Sequence, residues 1–400
     1  MIDINNFIST HITHRPHSMF LPDLESHHFN LYQQIRGKSV LVIGGAGTIG
    51  SSFIQALLPF RPGSLTVVDY SENGLTELSR DLRSSYQEVM PDTYVTYPID
   101  FGSSVFAKVI ESQPFDIVAC FAAHKHVRSE KDHLAIEAMI RNNVFNTKRL
   151  LDLLTARPPQ HFFAVSTDKA ANPVNVMGAS KKLMERVMMS YTEDFKISTA
   201  RFANVAFSNG SLLFGFEERI RKGQPISAPS DVKRYFVSPE ESGQLCLLAC
   251  MLGETGNVFF PKLREDQMLT FSSIAKNYLQ EMKLQPMECE SEHAARKAAK
   301  SRKAEDVDYP VYFFKTSTSG EKMFEEFYTE SDRPCMDRFD SLGVLEGELQ
   351  SKGEIQDVLN DLEALFDQTD VDKSLIIEKL QAVLPDFEHV ETGKSLDDGM

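Results

Sequence analysis

The chain lacks almost everything that would carry it into a bilayer, onto a nucleic acid or around a metal. No unbroken apolar run is long enough to span a membrane, and the amino terminus opens with polar residues and histidines in place of a basic-then-apolar leader. The expected location is therefore the cytoplasm. Basic residues are scarce, 42 Lys and Arg against 57 Asp and Glu for a formal net charge of -15, which argues against a nucleic-acid or membrane partner and leaves room only for a local basic pocket. The five cysteines, Cys120, Cys246, Cys250, Cys289 and Cys335, are an odd number without metal-ligand spacing, as expected of reduced thiols. His11, His14, His17, His27 and His28 have no cysteine or tight carboxylate partner, so they read as surface residues and no metal is expected. Internal repeats and low-complexity tracts are also missing.

What is present is enough for a large core: 400 residues, 42% hydrophobic and 25% charged, as one large or two medium domains. Ser39–Ile43 is a short apolar run rich in β-branched residues, the pattern of a parallel strand buried on both faces. It leads into Gly44-Gly-Ala-Gly-Thr-Ile-Gly50. Glycines 44, 47 and 50 allow a tight turn, close approach of a pyrophosphate and close packing of a helix starting near Thr48, whose amino end favours negative charge. Ser64–Val68 is a second strand ending in Asp69, placed to bind adenosine ribose hydroxyls. An acid there favours NAD; Ser71 or Arg80 softens its repulsion of a ribose phosphate, so NADP stays open. A helix over 74–89 is followed by a third strand, Tyr94–Asp100, whose Asp100 reaches for the adenine amino group. A fourth strand, Phe115–Phe121, opens into Ala122-Ala-His-Lys-His-Val127. Ala122 and Ala123 let the backbone approach a cofactor, and Lys125 and His126 either face substrate or stabilise the loop. A helix over 134–154 carries Asn142 and Asn143, which read as loop-fixing amides.

The reaction centre is expected in the stretch from Ser166 to Lys181. Asp168 and Lys169 sit side by side after the apolar strand His161–Val165, where open α/β sheets place their chemistry. An aspartate at a helix start is also a common cap, and a neighbouring lysine a common solvated residue.

Four strings resemble the extended short-chain dehydrogenase/reductase superfamily: Gly44–Gly50, Ala122–Val127, Ser166–Lys181 and Arg201-Phe-Ala-Asn-Val205. Within it the chain looks like the UDP-N-acetylglucosamine 4,6-dehydratases of the polysaccharide-biosynthesis group, through Ser208–Ser211, Gly223–Ile226, Arg234-Tyr-Phe236 and Ser319–Lys322, over residues 37 to about 330. The resemblance implies a lyase that takes hydride from carbon 4 of a hexose onto NAD(P), eliminates water across carbons 5 and 6, and returns the hydride to carbon 6. The cofactor is then tightly bound and regenerated each turnover. Lys169 is the implied base for the carbon-5 proton and Asp168 the acid for the departing hydroxyl. Lys169 is expected to have a lowered pKa, through burial or through Lys181. The superfamily's usual tyrosine is replaced by Met177, four residues before Lys181, as in some dehydratases of this group. The carbon-4 hydroxyl proton then goes elsewhere, with Thr167 or Ser166 positioning the hydroxyl and Asp168, Lys169 or a water accepting.

In the second half, 198–202 reads as a strand, 212–222 as an amphipathic helix, 240–252 as a helix with Cys246 and Cys250 packed on one face, and 309–314 as a late strand. Segments 272–282 and 292–303 read as amphipathic, the latter with a solvated face. Asn204, Ser211, Arg234 and Lys322 are the expected substrate contacts, with Lys125 and His126; Arg234 is assigned to the diphosphate because its fork fits phosphate oxygens. Beyond about residue 340 the resemblance thins into two acidic helices, 354–366 and 374–384, that either cover the sheet or join subunits, and a polar tail from Thr392 to Met400. The expected architecture is an arm (1–36), a doubly wound parallel Rossmann domain (37–200), a smaller sugar-nucleotide α/β lobe (201–340, with segments returning to the core) and a helical extension (341–400), assembled as a homo-oligomer. Two other readings share these features: a nucleotide-sugar epimerase, which needs no elimination pair, and a catalytically silent NAD(P)-binding regulator, for which Met177 is the support.

Overall fold

The computed structural model describes residues 2–316, 322, 324 and 326–389. Residues 319–321 of the string 319–322, and the polar tail from Thr392, lie outside them.

Six parallel strands, β1 (Ser39–Ile43), β2 (Ser64–Asp69), β3 (Thr93–Pro98), β4 (Ile117–Cys120), β5 (His161–Val165) and β6 (Ile197–Ala200), build most of one eight-stranded sheet. Its order is Leu342–Glu346, Asn257–Pro261, β6, β5, β4, β1, β2, β3, and only the Leu342–Glu346 strand runs antiparallel to its neighbour. The order reverses between β1 and β4, which opens a crevice at their carboxyl ends. β1 is apolar almost throughout because it is covered on both sides: Val40 and Val42 face one apolar layer, Leu41 and Ile43 the other. The first layer holds helices Thr48–Leu57, Glu72–Ser85 and Pro239–Leu252. The second holds Ser104–Ser112, the stretch from His133 to Thr155, and Val176–Met189.

A smaller lobe packs a three-stranded parallel sheet, Gln285–Glu288, Asp308–Phe314 and Ile226–Pro229, with helices Leu212–Arg221, Phe271–Glu281 and Glu292–Ser301. Helix Pro239–Leu252 and strand Asn257–Pro261 belong to the main sheet layers, so the chain crosses between the units more than once.

The arm and the C-terminal extension as far as His389 both pack on the body of the protein. In the arm, Phe7, Ile8 and Ile12 enter the lobe core, while Phe20, Leu31 and Ile35 enter the sheet core. Arg15 pairs with buried Glu241 at 2.8 Å. The arm is a strap across two cores, built from the short helical pieces Ile4–Phe7, Ile8–Ile12, Leu21–Ser26 and His28–Ile35. Helices Lys352–Phe366 and Lys373–Val383 lay Ile355, Leu359, Leu362, Ile376 and Leu380 on the second layer. Of the two roles the sequence leaves open for them, the structure shows them covering the layer.

Three sequence expectations are corrected in detail. The helix over 134–154 is interrupted by a π-helical turn, Arg141–Phe145. β3 stops at Pro98, because Asp100 turns to accept the Gly102 N–H at 2.7 Å. Helix Glu72–Ser85 ends before a separate 3-10 turn, Gln87–Val89. Among the described residues, no helix is long and apolar enough to cross a membrane. The five cysteines are unpaired, and burial pushes the Cys250 thiol up to about 12.

Candidate active site

The glycine loop after β1 has the shape its sequence calls for. Gly44 has φ +76°, and a Cβ there would stand 2.5 Å from the Ala122 backbone nitrogen; one at Gly50 would stand 2.3 Å from the Gly44 carbonyl oxygen. A Cβ at Gly47 would meet only the Gly44 oxygen, at 3.5 Å. Gly47 caps helix Thr48–Leu57 in extended conformation, and no side chain caps that helix end. Asp69 Oδ2 accepts from the Ala46 N–H at 3.0 Å and Oδ1 from the Ser71 N–H at 2.9 Å, fixing the carboxylate against the loop. Ser71 uses its hydroxyl to cap the next helix at Gly74. Arg80 lies two turns along that helix, beside Glu77 at 3.5 Å.

Beyond the loop a cleft runs between the sheet and the lobe. Its walls bring together Ile49, Ala123, Lys125, His126, Ser166, Thr167, Asp168, Lys169, Met177, Lys181, Asn204 and Ser211 from the expected set. Asp168 is 3% exposed, and its Oδ1 accepts from the Thr167 hydroxyl at 2.8 Å, the Lys169 N–H at 2.9 Å and the Lys169 ammonium at 3.1 Å. The acid and the ammonium are thus a contact pair. Met177 and Lys181 share one face of helix Val176–Met189, which Asn175 caps by accepting from the Gly178 N–H at 2.7 Å. Lys181 donates to the Val165 carbonyl oxygen at 2.7 Å. Asn143 accepts from the His124 N–H and donates to the His124 carbonyl and to Ser180, tying the loop after β4 to that helix as expected of a loop-fixing amide.

Burial pushes the Lys181 ammonium down to about 8 from its ordinary 10.5. Between those values the unfolded chain holds a proton that the folded chain has released, so this group's contribution to stability rises with pH across the window and is least favourable below pH 8. Thermal melts of a Lys181→Met variant should show its Tm relative to the parent highest below pH 8 and falling towards pH 10.5. A difference independent of pH contradicts that environment.

Other assignments are not brought together. Ser166 reaches the cleft wall, but its hydroxyl is engaged, donating to Glu185 at 2.6 Å. Asp100 is exposed and engaged with Gly102. Arg234 is 3% exposed and donates to the Lys233 and Lys322 carbonyl oxygens, both at 2.9 Å; neither Arg234 nor Lys322 is among the described residues that line the cleft. The arginine fork suits carbonyl oxygens as well as phosphate, and sequence does not tell the two apart.

Sequence reasoning gave no role to the aromatic wall, Phe121, Phe202, Phe236 and Phe271, and used the Ser208–Ser211 string for the resemblance without placing its turn in the site. The turn meets the glycine loop, since the Asn209 N–H donates to Thr48 Oγ1 at 2.9 Å and Lys125 donates to the Asn209 carbonyl at 3.2 Å. Phe207 before it is held at φ 54°, a strained conformation fixed by ring contacts with Phe7 and Tyr278. A phenylalanine beside the Ser-Asn-Gly turn gives no sequence signal of this.

The family described as "Polysaccharide biosynthesis protein" matches residues 40–344. Among sequence relatives, the uncharacterized membrane protein MJ1061 of Methanocaldococcus jannaschii is 36% identical over 57% of this chain and 67% of its own length. The capsular polysaccharide biosynthesis protein CapD of Staphylococcus aureus is 28% identical over 75% of this chain but only 46% of its own length, so this chain spans under half of that relative. A UDP-N-acetylglucosamine 4,6-dehydratase (inverting) of Campylobacter jejuni is 25% identical over 57% of this chain and 67% of that protein. A UDP-glucose 4-epimerase of Rickettsia rickettsii is 32% identical over 56% and 66%. Among solved structures, Pen from Bacillus thuringiensis superposes with a TM-score of 0.63 at 21% identity, covering 80% of this chain and 90% of Pen. DesIV, a dTDP-glucose 4,6-dehydratase of Streptomyces venezuelae with NAD and TYD bound, gives 0.53 at 19% identity over 72% and 87%. At these identities the structures show the fold alone: a large, mostly parallel sheet between helical layers with a smaller lobe.

Proposed function

We propose, from the premise that this chain belongs to the polysaccharide biosynthesis protein family, that it is an NAD(P)-dependent nucleotide-sugar 4,6-dehydratase acting on UDP-N-acetylglucosamine or a related nucleotide hexose. The observation that carries this reading is the Asp168–Lys169 contact pair, set in the wall of the cleft beside Met177. Elimination of water needs a base at carbon 5 and an acid at the carbon-6 oxygen, and here the two sit on neighbouring residues. One proton passes within the pair from the Lys169 ammonium to the Asp168 carboxylate; Lys169 Nζ then takes the carbon-5 proton while Asp168 delivers its proton to the leaving oxygen, which restores the charged pair. Gly44, Gly47 and Thr48 hold the cofactor diphosphate, Asp69 the adenosine ribose, and Lys181 the ribose beside the nicotinamide. A bound NAD supplies a reversible two-electron acceptor for carbon 4. Lys125, His126, Asn204 and Ser211 hold the sugar nucleotide, and the aromatic wall excludes water. Residues 37–200 form the cofactor unit and 201–340 contribute the sugar-nucleotide lobe.

The dehydratase relative at 25% identity supports this reading, and the 32% identical UDP-glucose 4-epimerase favours a second, epimerisation at carbon 4. Epimerisation needs neither a carbon-5 base nor a leaving-group acid, which leaves the Asp168–Lys169 pair without a task. Incubating the purified chain with a panel of UDP- and GDP-hexoses and following product mass separates the two. Loss of one water from a sugar nucleotide is expected; a product of unchanged mass that co-elutes with the carbon-4 epimer sinks the dehydratase.

A further inference from the structure

Two walls of the cleft, the loop after β4 and the helix Val176–Met189, are joined from behind by one buried carboxylate. Glu130 follows the 3-10 turn Val127–Ser129 and is 7% exposed. Its Oε2 accepts from the Val176 N–H at 2.7 Å. Val176 is the first residue of the helix, whose unpaired N–H groups and positive dipole end favour a carboxylate there. Met177 is the next residue. The other carboxylate oxygen is taken by the C-terminal extension: His389 Nε2 hydrogen-bonds Oε1, and the Lys373 ammonium stands 3.7 Å from it. The Glu388 N–H donates to the Pro173 carbonyl at 3.1 Å, inside the loop that joins Lys169 to the helix. Phe387, 2% exposed, anchors this end of the chain in the apolar layer. The family match ends at residue 344, so the segment that grips the reaction loop lies outside the shared region.

We propose that Glu130 is a positioning residue for the reaction centre, and that residues 373–389 set the pose of the Met177–Lys181 helix face through it. A carboxylate bonded to the first helical N–H fixes where the helix begins. That start in turn sets Gly178 against the Lys169 carbonyl oxygen, which a Cβ would approach to 2.5 Å. A displaced first turn therefore moves Lys169 relative to Lys181. His389 and Lys373 offset the burial of the carboxylate charge, which would otherwise weaken the contact. The inference rests on the cleft being the reaction centre, but its test does not require turnover.

Amide hydrogen exchange of the full chain, read over residues 168–181 and over the helices Thr48–Leu57 and Pro239–Leu252 as controls, decides it. In Glu130→Ala, exchange over 168–181 should quicken by about tenfold with the controls unchanged, as expected for losing one hydrogen bond to a charged acceptor. Glu130→Gln, whose amide oxygen still accepts from Val176, should restore most of that protection. His389→Ala should quicken the same segment by about threefold, leaving the cap bond but loosening its acceptor. Where the parent turns over a sugar nucleotide, Glu130→Ala lowers kcat and leaves KM near its parent value. Unchanged exchange over 168–181 in Glu130→Ala, or equal loosening of the controls, overturns the proposal whether or not the chain proves to be a dehydratase.

Discussion

Lys169→Ala and Asp168→Asn each abolish formation of the 4-keto-6-deoxy product while the chain still binds NAD(H) with parental affinity. General acid and general base catalysis each contribute on the order of 10²- to 10⁴-fold, so losing either group takes turnover below ordinary detection. The fold should survive both changes. The amide in Asp168→Asn keeps an oxygen for the Thr167 hydroxyl and the Lys169 N–H, which anchor the Asp168 carboxylate at 2.8 and 2.9 Å. Lys169 is a partly exposed cleft residue and not part of the core. The proposed reading places cofactor binding on Gly44, Gly47 and Asp69, in other loops. Equilibrium dialysis with NADH beside a product assay separates the two functions, and near-normal turnover in either variant would overturn the roles given to the pair.

Glu185→Ala should unfold the chain under conditions the parent tolerates. Glu185 and Arg201 are both 4% exposed, paired at 3.0 and 2.8 Å, with Ser166 donating to the same carboxylate and Arg201 donating to the Phe327 carbonyl at 2.8 Å. The network ties the end of β5, the Met177 helix and the end of β6 together beneath the reaction loop. Removing one partner of such a pair leaves a buried charge uncompensated, at a cost of about 3–5 kcal/mol. Replacing both by hydrophobic residues of similar volume should recover most of the loss, because the desolvation cost disappears with the charges. Burial raises the Glu185 carboxyl, but the charge and hydrogen bonds of Arg201 outweigh it and hold the group below the usual carboxylate range. Its stabilising contribution is therefore present at neutral pH and lost as the pH falls through that lowered value. Denaturant midpoints of the single and double variants test this; a loss in the double variant equal to the sum of the two single losses would show the pair is not coupled.

The parts of this site that are legible in the sequence are those in which a few neighbouring residues carry the signal. The glycine loop is one, since the positive φ of Gly44 and the close approach at Gly50 demand glycine locally. The strands are another, because a parallel strand covered on both faces must be apolar throughout. The Asp168–Lys169 pair is a third, being adjacent in the chain. The illegible parts depend on partners far away in sequence. Ser166 reads as a contact for the substrate hydroxyl, but a buried carboxylate 19 residues on claims it. Arg234 reads as a phosphate ligand, and the structure shows its guanidinium on the carbonyls of Lys233 and of Lys322, 88 residues on. Glu130 meets His389 across 259 positions, and nothing in the composition around either residue announces the other.

The most direct test of the dehydratase reading is turnover of UDP-N-acetylglucosamine by the purified chain in deuterated water, with the product read by proton and deuterium magnetic resonance. A 4-keto-6-deoxy sugar nucleotide carrying solvent deuterium at carbon 5 is the predicted result, since Lys169 removes that proton and solvent replaces it. A carbon-4 epimer with protium retained at carbon 5 would contradict the account.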